Sequence, residues 1–243
     1  MSLFKNLGTD DLEQSEDRLG GGYQPLESGI YPVTVKALYA GEAASGAMNL
    51  TLLATLEDGR EYRETIYITN KNKQNYFINK DSNKKSPLPG FTTVNDICLI
   101  TTGMELSELE TEEKVVKVWD FDAKAEVPKS VPMITAALGK KVALGIIKQL
   151  ENKNVKGADG KYVPTEETRE INQIDKVFHP ELKVTVAEAR AGKESTFWDA
   201  WEARNSGQTR DKRKIKEGAG NAGGGTPPKA GATQAPRKSL FSK

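Results

Sequence analysis

Apolar and polar residues alternate with a period of two along the first third of the chain, which is the signature of half-buried strands. In Gly29–Gly41, Val33, Val35 and Ala37 alternate with Thr34 and Lys36. Between Gly46 and Gly59, Met48, Leu50, Leu52, Ala54 and Leu56 share one face, and Asn49, Thr51 and Thr55 share the other. Asp58-Gly59 is a hairpin turn signal. A third strand then runs from Arg60 to Thr69, with Tyr62, Ile66 and Ile68 inward and Arg63, Thr65, Tyr67 and Thr69 outward. The three strands predict a meander.

The period changes at Phe91–Gly103. Val94, Ile97, Cys98 and Ile100 or Thr101 fit helical spacing, and Gly103 can end the helix. Cys98 reads as a small core residue on that face. Lys114–Trp119 reads as a short strand or edge, and Lys140–Leu150 as a strand with Val142, Leu144 and Ile146 on one face. Gly145 within it suggests a bulge or coil that helps a small barrel close. Residues 151–168 form a long hairpin arm turning at Asp159-Gly160, and Glu170–Phe178 is the last strand. Glu194–Arg204 is helical, with Phe197 and Trp201 on one face and Trp198 to the side. That helix either docks on the barrel or mediates self-association.

Composition divides the chain. Hydrophobic residues make up 37% of 243, low for a core spread over the whole length. Residues 1–25 are acidic around Asp10, Asp11, Glu13, Glu16 and Asp17 and are broken by Gly20–Gly22, as in a terminal arm. Residues 26–190 carry the strands, and 191–217 a helix followed by a basic cluster. Residues 218–243 are a Gly/Ala/Pro/Thr-rich linker ending in RKSLFSK, a composition that buries too little apolar surface to fold. The net charge of +1 hides an asymmetry, because residues 206–243 hold nine Lys or Arg against two acids. A basic tail on an acidic body points to a tail that finds a partner.

One cysteine and one histidine leave no intrachain disulfide and no Cys/His zinc site, and a reducing cytoplasm is the expected compartment. The acidic start lacks the apolar segment of a signal peptide, and the apolar runs are too short to span a bilayer. No cofactor or metal site is expected. Gly157–Lys161 superficially looks like a phosphate loop, but its spacing fails the motif.

The candidate chemistry concentrates in Tyr67–Phe91. Five lysines (Lys71, Lys73, Lys80, Lys84, Lys85) face a single acid, Asp81, and are interleaved with Tyr67, Tyr76, Phe77 and Phe91. Cations attract phosphates, and flat rings stack on unpaired bases. Asparagines at 70, 72, 75, 79 and 83 can bond sugars, base edges or their own backbone. Arg63 on the outward face of the third strand extends the set. Trp119 and Phe121, two rings in a polar segment, either cap the core or stack a base at the groove mouth. The arm adds Lys153, Lys156, Lys161 and Tyr162.

Five main strands, a helix between the third and fourth, and long basic loops match a mainly β fold, the five-stranded OB-fold barrel. That barrel binds strands across one face and two loops. The chain also resembles the single-stranded DNA-binding proteins of tailed bacteriophages over residues 1–205. The resemblance is carried by SLFKNL, GGGYQPLESGIY, IYITNKNKQNYF, LPGFTTVNDICLITTG, ALGKKV and DGKYVPTEETREINQ. It implies a non-enzymatic protein that coats single-stranded DNA in phage replication, recombination or transcription. The familiar bacterial proteins of this kind end in an acidic tip, whereas this chain ends in a basic one. Arg237, Lys238, Leu240, Phe241 and Lys243 would then form a tethered docking peptide for replication or recombination proteins or for host RNA polymerase. An RNA-binding module is a competing expectation. So is a metal-dependent nuclease built on Glu112-Glu113 or Glu166-Glu167, although both pairs sit in polar runs. Oligomeric state is left open by the sequence.

Overall fold

In the computed structural model, which describes residues 24–120, 123–157, 160 and 162–215, the fold is mainly β with few helices. Strands β1 (Gly29–Glu42), β2 (Met48–Leu56) and β3 (Glu61–Tyr67) form the expected antiparallel meander. Leu50, Leu52, Ala54 and Leu56 of β2 enter the core, as do Tyr62, Ile66 and Ile68 around the end of β3. Two details of the alternation differ from expectation. A bulge in β1 between Val35 and Ala37 reverses the faces beyond it. Val33, Val35 and Leu38 therefore face the main core, while Ala37 and Tyr39 turn outward to pack with Val131 and Met133. Thr69, expected outward, is buried, and its hydroxyl accepts the Met48 backbone N–H at 2.8 Å.

Beyond Tyr67 the chain makes a small separate hairpin, β4 (Tyr76–Ile78) with β5 (Lys85–Pro87). Helix α1 (Pro89–Thr102) follows and buries Val94, Ile97, Cys98 and Thr101. The Gly103 N–H closes its end on the Leu99 carbonyl. Burial pushes the Cys98 thiol up to about 12, so it is an inert core group.

A second hairpin, β6 (Glu112–Asp120) with β7 (Ala125–Met133), joins the sheet where Met133 pairs with Tyr39. Strand β8 (Lys141–Lys156) pairs antiparallel with the first half of β1, and β9 (Tyr162–Phe178) pairs with β8. A short β10 (Thr209–Asp211) runs parallel to Lys148–Leu150. The main path of the sheet is β10-β8-β1-β2-β3. The expectation of five strands is corrected by the additional β4–β5, β6–β7 and β10. The expectation of a closed barrel is corrected too, because no backbone ladder joins β3 to β9.

Over residues 142–147 both faces of β8 are buried. Val142, Leu144 and Ile146 meet the main core, and Ala143 and Ile147 lie under α3 (Phe197–Asn205) with Phe178. Gly145 reads differently from the expected bulge. A Cβ there would sit 3.1 Å from a ring carbon of Trp201 and 3.3 Å from Phe178, so the bare backbone makes room for the indole. In α3 the buried pair is Trp198 and Trp201, with Phe197 on the margin, which corrects the face assigned from spacing. The short helix α2 (Val186–Arg190) prepares this docking. The Glu188 carboxylate accepts the backbone N–H groups of Thr185, Thr196 and Phe197, fixing the start of α3.

The chain divides into two compact units. Among the described residues, one holds 24–150 together with 170–211, and the other holds 151–169 with 212–215. In the second, Lys153 pairs with Glu167 at 3.1 Å and Arg169 with Glu151 at 2.6 Å across the arm. The buried Asn152 side chain accepts the Lys214 and Ile215 N–H groups and donates to the Ile215 carbonyl. The acidic residues of the arm assigned to 1–25, Phe121, Lys161 and the RKSLFSK tip all lie outside the described residues.

Candidate nucleic-acid interface

The outer face of the meander is polar and ordered in rows by the strand register. Gly41, Asn49 and Tyr67 are paired in one row, and Tyr39, Thr51 and Thr65 in the next. Arg63 follows on the same face of β3, and its Nη2 donates to the Tyr39 hydroxyl at 2.9 Å. The Thr51 and Thr65 hydroxyls are 2.9 Å apart and hydrogen-bonded. These contacts hold the guanidinium and the tyrosine in place, so the surface is organised before any ligand arrives.

The β6–β7 hairpin stands beside this face and encloses a cleft of about 770 Å³ with it. Trp119 of β6 and Lys129 and Ser130 of β7 line it together with Tyr67, Arg63 and Thr65. Tyr67 is 55% exposed and Trp119 48% exposed, so both rings are open to solvent. The acid in the lining is Glu42, whose carboxylate lies 3.5 Å from the Lys73 ammonium. Two aromatic faces, two cations and a row of hydroxyls suit a polyanion bearing flat rings.

The structure divides the residues singled out from the sequence. It brings Arg63, Tyr67 and Trp119 together in the cleft. Lys73 stands at its edge through Glu42. Tyr76, Phe77 and Lys85 lie on the β4–β5 hairpin, which does not line the cleft. There the Lys85 ammonium sits 4.4 Å over the Tyr76 ring, and Phe77 is exposed. Lys71, Lys80 and Lys84 are exposed in the turns around that hairpin. Asn70 accepts the N–H groups of Asn72 and Gln74, and Asn79 those of Asp81 and Ser82. These two asparagines serve their own turns. Lys153, Lys156 and Tyr162 belong to the arm, with Tyr162 exposed and Lys153 held by Glu167.

Tyr39, Lys129 and Ser130 were not singled out from the sequence. The bulge in β1 turned Tyr39 to the outer face, and Pro128 and Pro132 mask the strand character of β7. The acidic pairs behave as surface groups. Glu112 accepts from Thr135 at 2.8 Å and Glu113 from Ser130 at 2.6 Å, while Glu167 pairs with Lys153. The imidazole Nδ1 of His179 accepts the N–H groups of Glu181 and Leu182 in a turn.

No helix among the described residues is long and apolar enough to cross a membrane. No family model matches the chain, and no curated protein matches it.

Proposed function

We propose that this chain binds single-stranded DNA in the cleft between the outer face of β1–β3 and the β6–β7 hairpin, coating and protecting it without chemistry. The observation that carries this reading is that two exposed rings, Tyr67 and Trp119, line one cleft that also holds Arg63 and Lys129. Stacking needs a base whose face is free, so the rings favour unpaired strands. Arg63 and Lys129 neutralise phosphates, and Thr65 and Ser130 offer hydroxyls to sugars or base edges. The loop cations around β4–β5 add long-range attraction.

The chain order supports an OB-type reading of the architecture. Strands run β9-β8-β1-β2-β3 in space, with α1 between β3 and β8 in sequence. An OB fold uses the same order, is partly open, and binds oligonucleotides over its second and third strands. The sequence resemblance to the single-stranded DNA-binding proteins of tailed bacteriophages adds to this reading a role in phage replication and recombination. The tip with Leu240 and Phe241 docks replication or recombination proteins, or host RNA polymerase in a transcriptional role.

The test is an equilibrium titration of short homopolymeric single-stranded DNA, the matching RNA and duplex DNA, followed by tryptophan fluorescence. Single-stranded DNA should bind most tightly and quench Trp119. For four to six neutralised phosphates the log–log salt slope should be about −3 to −4. Salt-independent binding, or equal affinity for duplex, would reject the reading, and preference for RNA would redirect it.

A further inference from the structure

We propose that the outer edge of β6 pairs with the same edge of a second copy of this chain, antiparallel about a two-fold axis through Val115. Strand β6 is nine residues long, and among the described residues its one strand neighbour is β7. Its other edge offers a row of backbone donors and acceptors, which is a template for another strand.

The side chains on this strand fit self-pairing. Val116 and Val118 face inward and pack with Ala37, Tyr39, Val131 and Met133. Val115 points the other way and is 71% exposed, the most exposed large apolar side chain among the described residues. Lys117, on the same outer face, has no ion pair among the described residues. Glu113, two residues before Val115, gives one oxygen to Ser130 and keeps acceptor capacity on the other.

An antiparallel register centred on Val115 sets the two valines against each other. It places Glu113 of each copy opposite Lys117 of the other. Isologous symmetry produces this charge pair twice, on either side of an apolar centre. Opposite charges directly across a ladder stabilise it, and like charges oppose it. Lysines commonly protect an edge strand by mutual repulsion, but here antiparallel pairing matches each Lys117 with an acid. The contact is small, so the dimer should be weak and concentration-dependent. The inference is independent of the nucleic-acid reading.

The experiment is sedimentation equilibrium of the full chain across a concentration series, without nucleic acid. The mass should rise with concentration from 26.6 kDa towards twice that value. Lys117→Glu should weaken association about tenfold, because each Glu113 then meets an acid. The double variant Glu113→Lys with Lys117→Glu restores opposite charges and should recover the original affinity to within about twofold. Circular dichroism and melting should show both variants folded, since both positions are exposed. A chain that stays monomeric throughout would overturn the proposal. So would association that ignores Lys117→Glu, or a folded double variant that fails to recover.

Discussion

The Glu64 carboxylate of β3 accepts the backbone N–H of Ile174 in β9 at 2.8 Å, across a separation of 110 residues. The same oxygen accepts the Tyr62 hydroxyl at 2.5 Å. Where β3 and β9 make no backbone ladder, this side chain bridges the seam. Burial raises the Glu64 pKa above its ordinary 4.5, and the bonds from Tyr62 and Ile174 oppose the rise. The folded state therefore holds the proton more readily than the unfolded one. The protonated group's advantage is fully present below 4.5 and is lost as pH rises through the raised value.

Glu64→Ala should lower stability by about 1–3 kcal/mol, because it removes the acceptor of the Ile174 N–H. Glu64→Gln keeps an acceptor and removes the buried charge, so its stability at neutral pH should match or exceed that of the unmodified chain. Urea unfolding at several pH values measures both, and the Gln variant should show less decline above pH 4.5.

Tyr67→Ala and Trp119→Ala should each weaken single-strand binding by about 1–3 kcal/mol, the worth of one stacked base. Both rings are half-exposed, so melting temperatures should barely move. A large drop in melting with unchanged affinity would show that the rings serve packing instead.

Arg63→Gln and Lys129→Gln should each flatten the salt dependence of binding by about 0.7 in the log–log slope, one phosphate contact apiece. Arg63→Gln should also disturb Tyr39, whose hydroxyl accepts from the guanidinium. Titrations at a series of salt concentrations separate this from a general loss of affinity.

Gly90→Ala probes how the start of α1 is coupled to the cleft. A Cβ there would collide with the Tyr67 carbonyl oxygen and come within 3.0 Å of Ile66. The expected outcome is a loss of about 1–3 kcal/mol in stability from overpacking. Binding should weaken as well, because Tyr67 must shift. Thermal melts and the single-strand titration report the two effects.

Acid should release α3. Burial works against the Glu188 charge, but the N–H groups of Thr185, Thr196 and Phe197 outweigh it and hold the pKa down to about 2, from 4.5. A depressed carboxylate stabilises the fold above 4.5, and that contribution is lost as pH falls towards 2. Near-ultraviolet circular dichroism of Trp198 and Trp201 should therefore fade over this window. In Glu188→Gln the acid-dependent part of that signal should be reduced.

Local periodicity was enough for the elements whose faces repeat without interruption. The alternation from Leu50 to Leu56 and the spacing of Val94, Ile97, Cys98 and Thr101 before Gly103 are set within a few residues by backbone geometry. The outward placement of Arg63 and Tyr67 follows from the same period, so half of the cleft was legible in the sequence. The other half depended on contacts between distant segments. One extra residue at the bulge in β1 turned Tyr39 outward, and pairing with Met133 brought Trp119 and Lys129 to the cleft. In α3 all three rings reach Phe178, but Trp198 and Trp201 are buried there while Phe197 stays at the margin, and nine residues present too short a face to fix this alone. Gly145 was governed by the ring of Trp201, and Glu64 was drawn inward by an N–H on another strand. A period of two assigns alternate residues to opposite faces, but register, edge partners and the occupant of each face are decided by long-range packing, which exists only once the chain has folded.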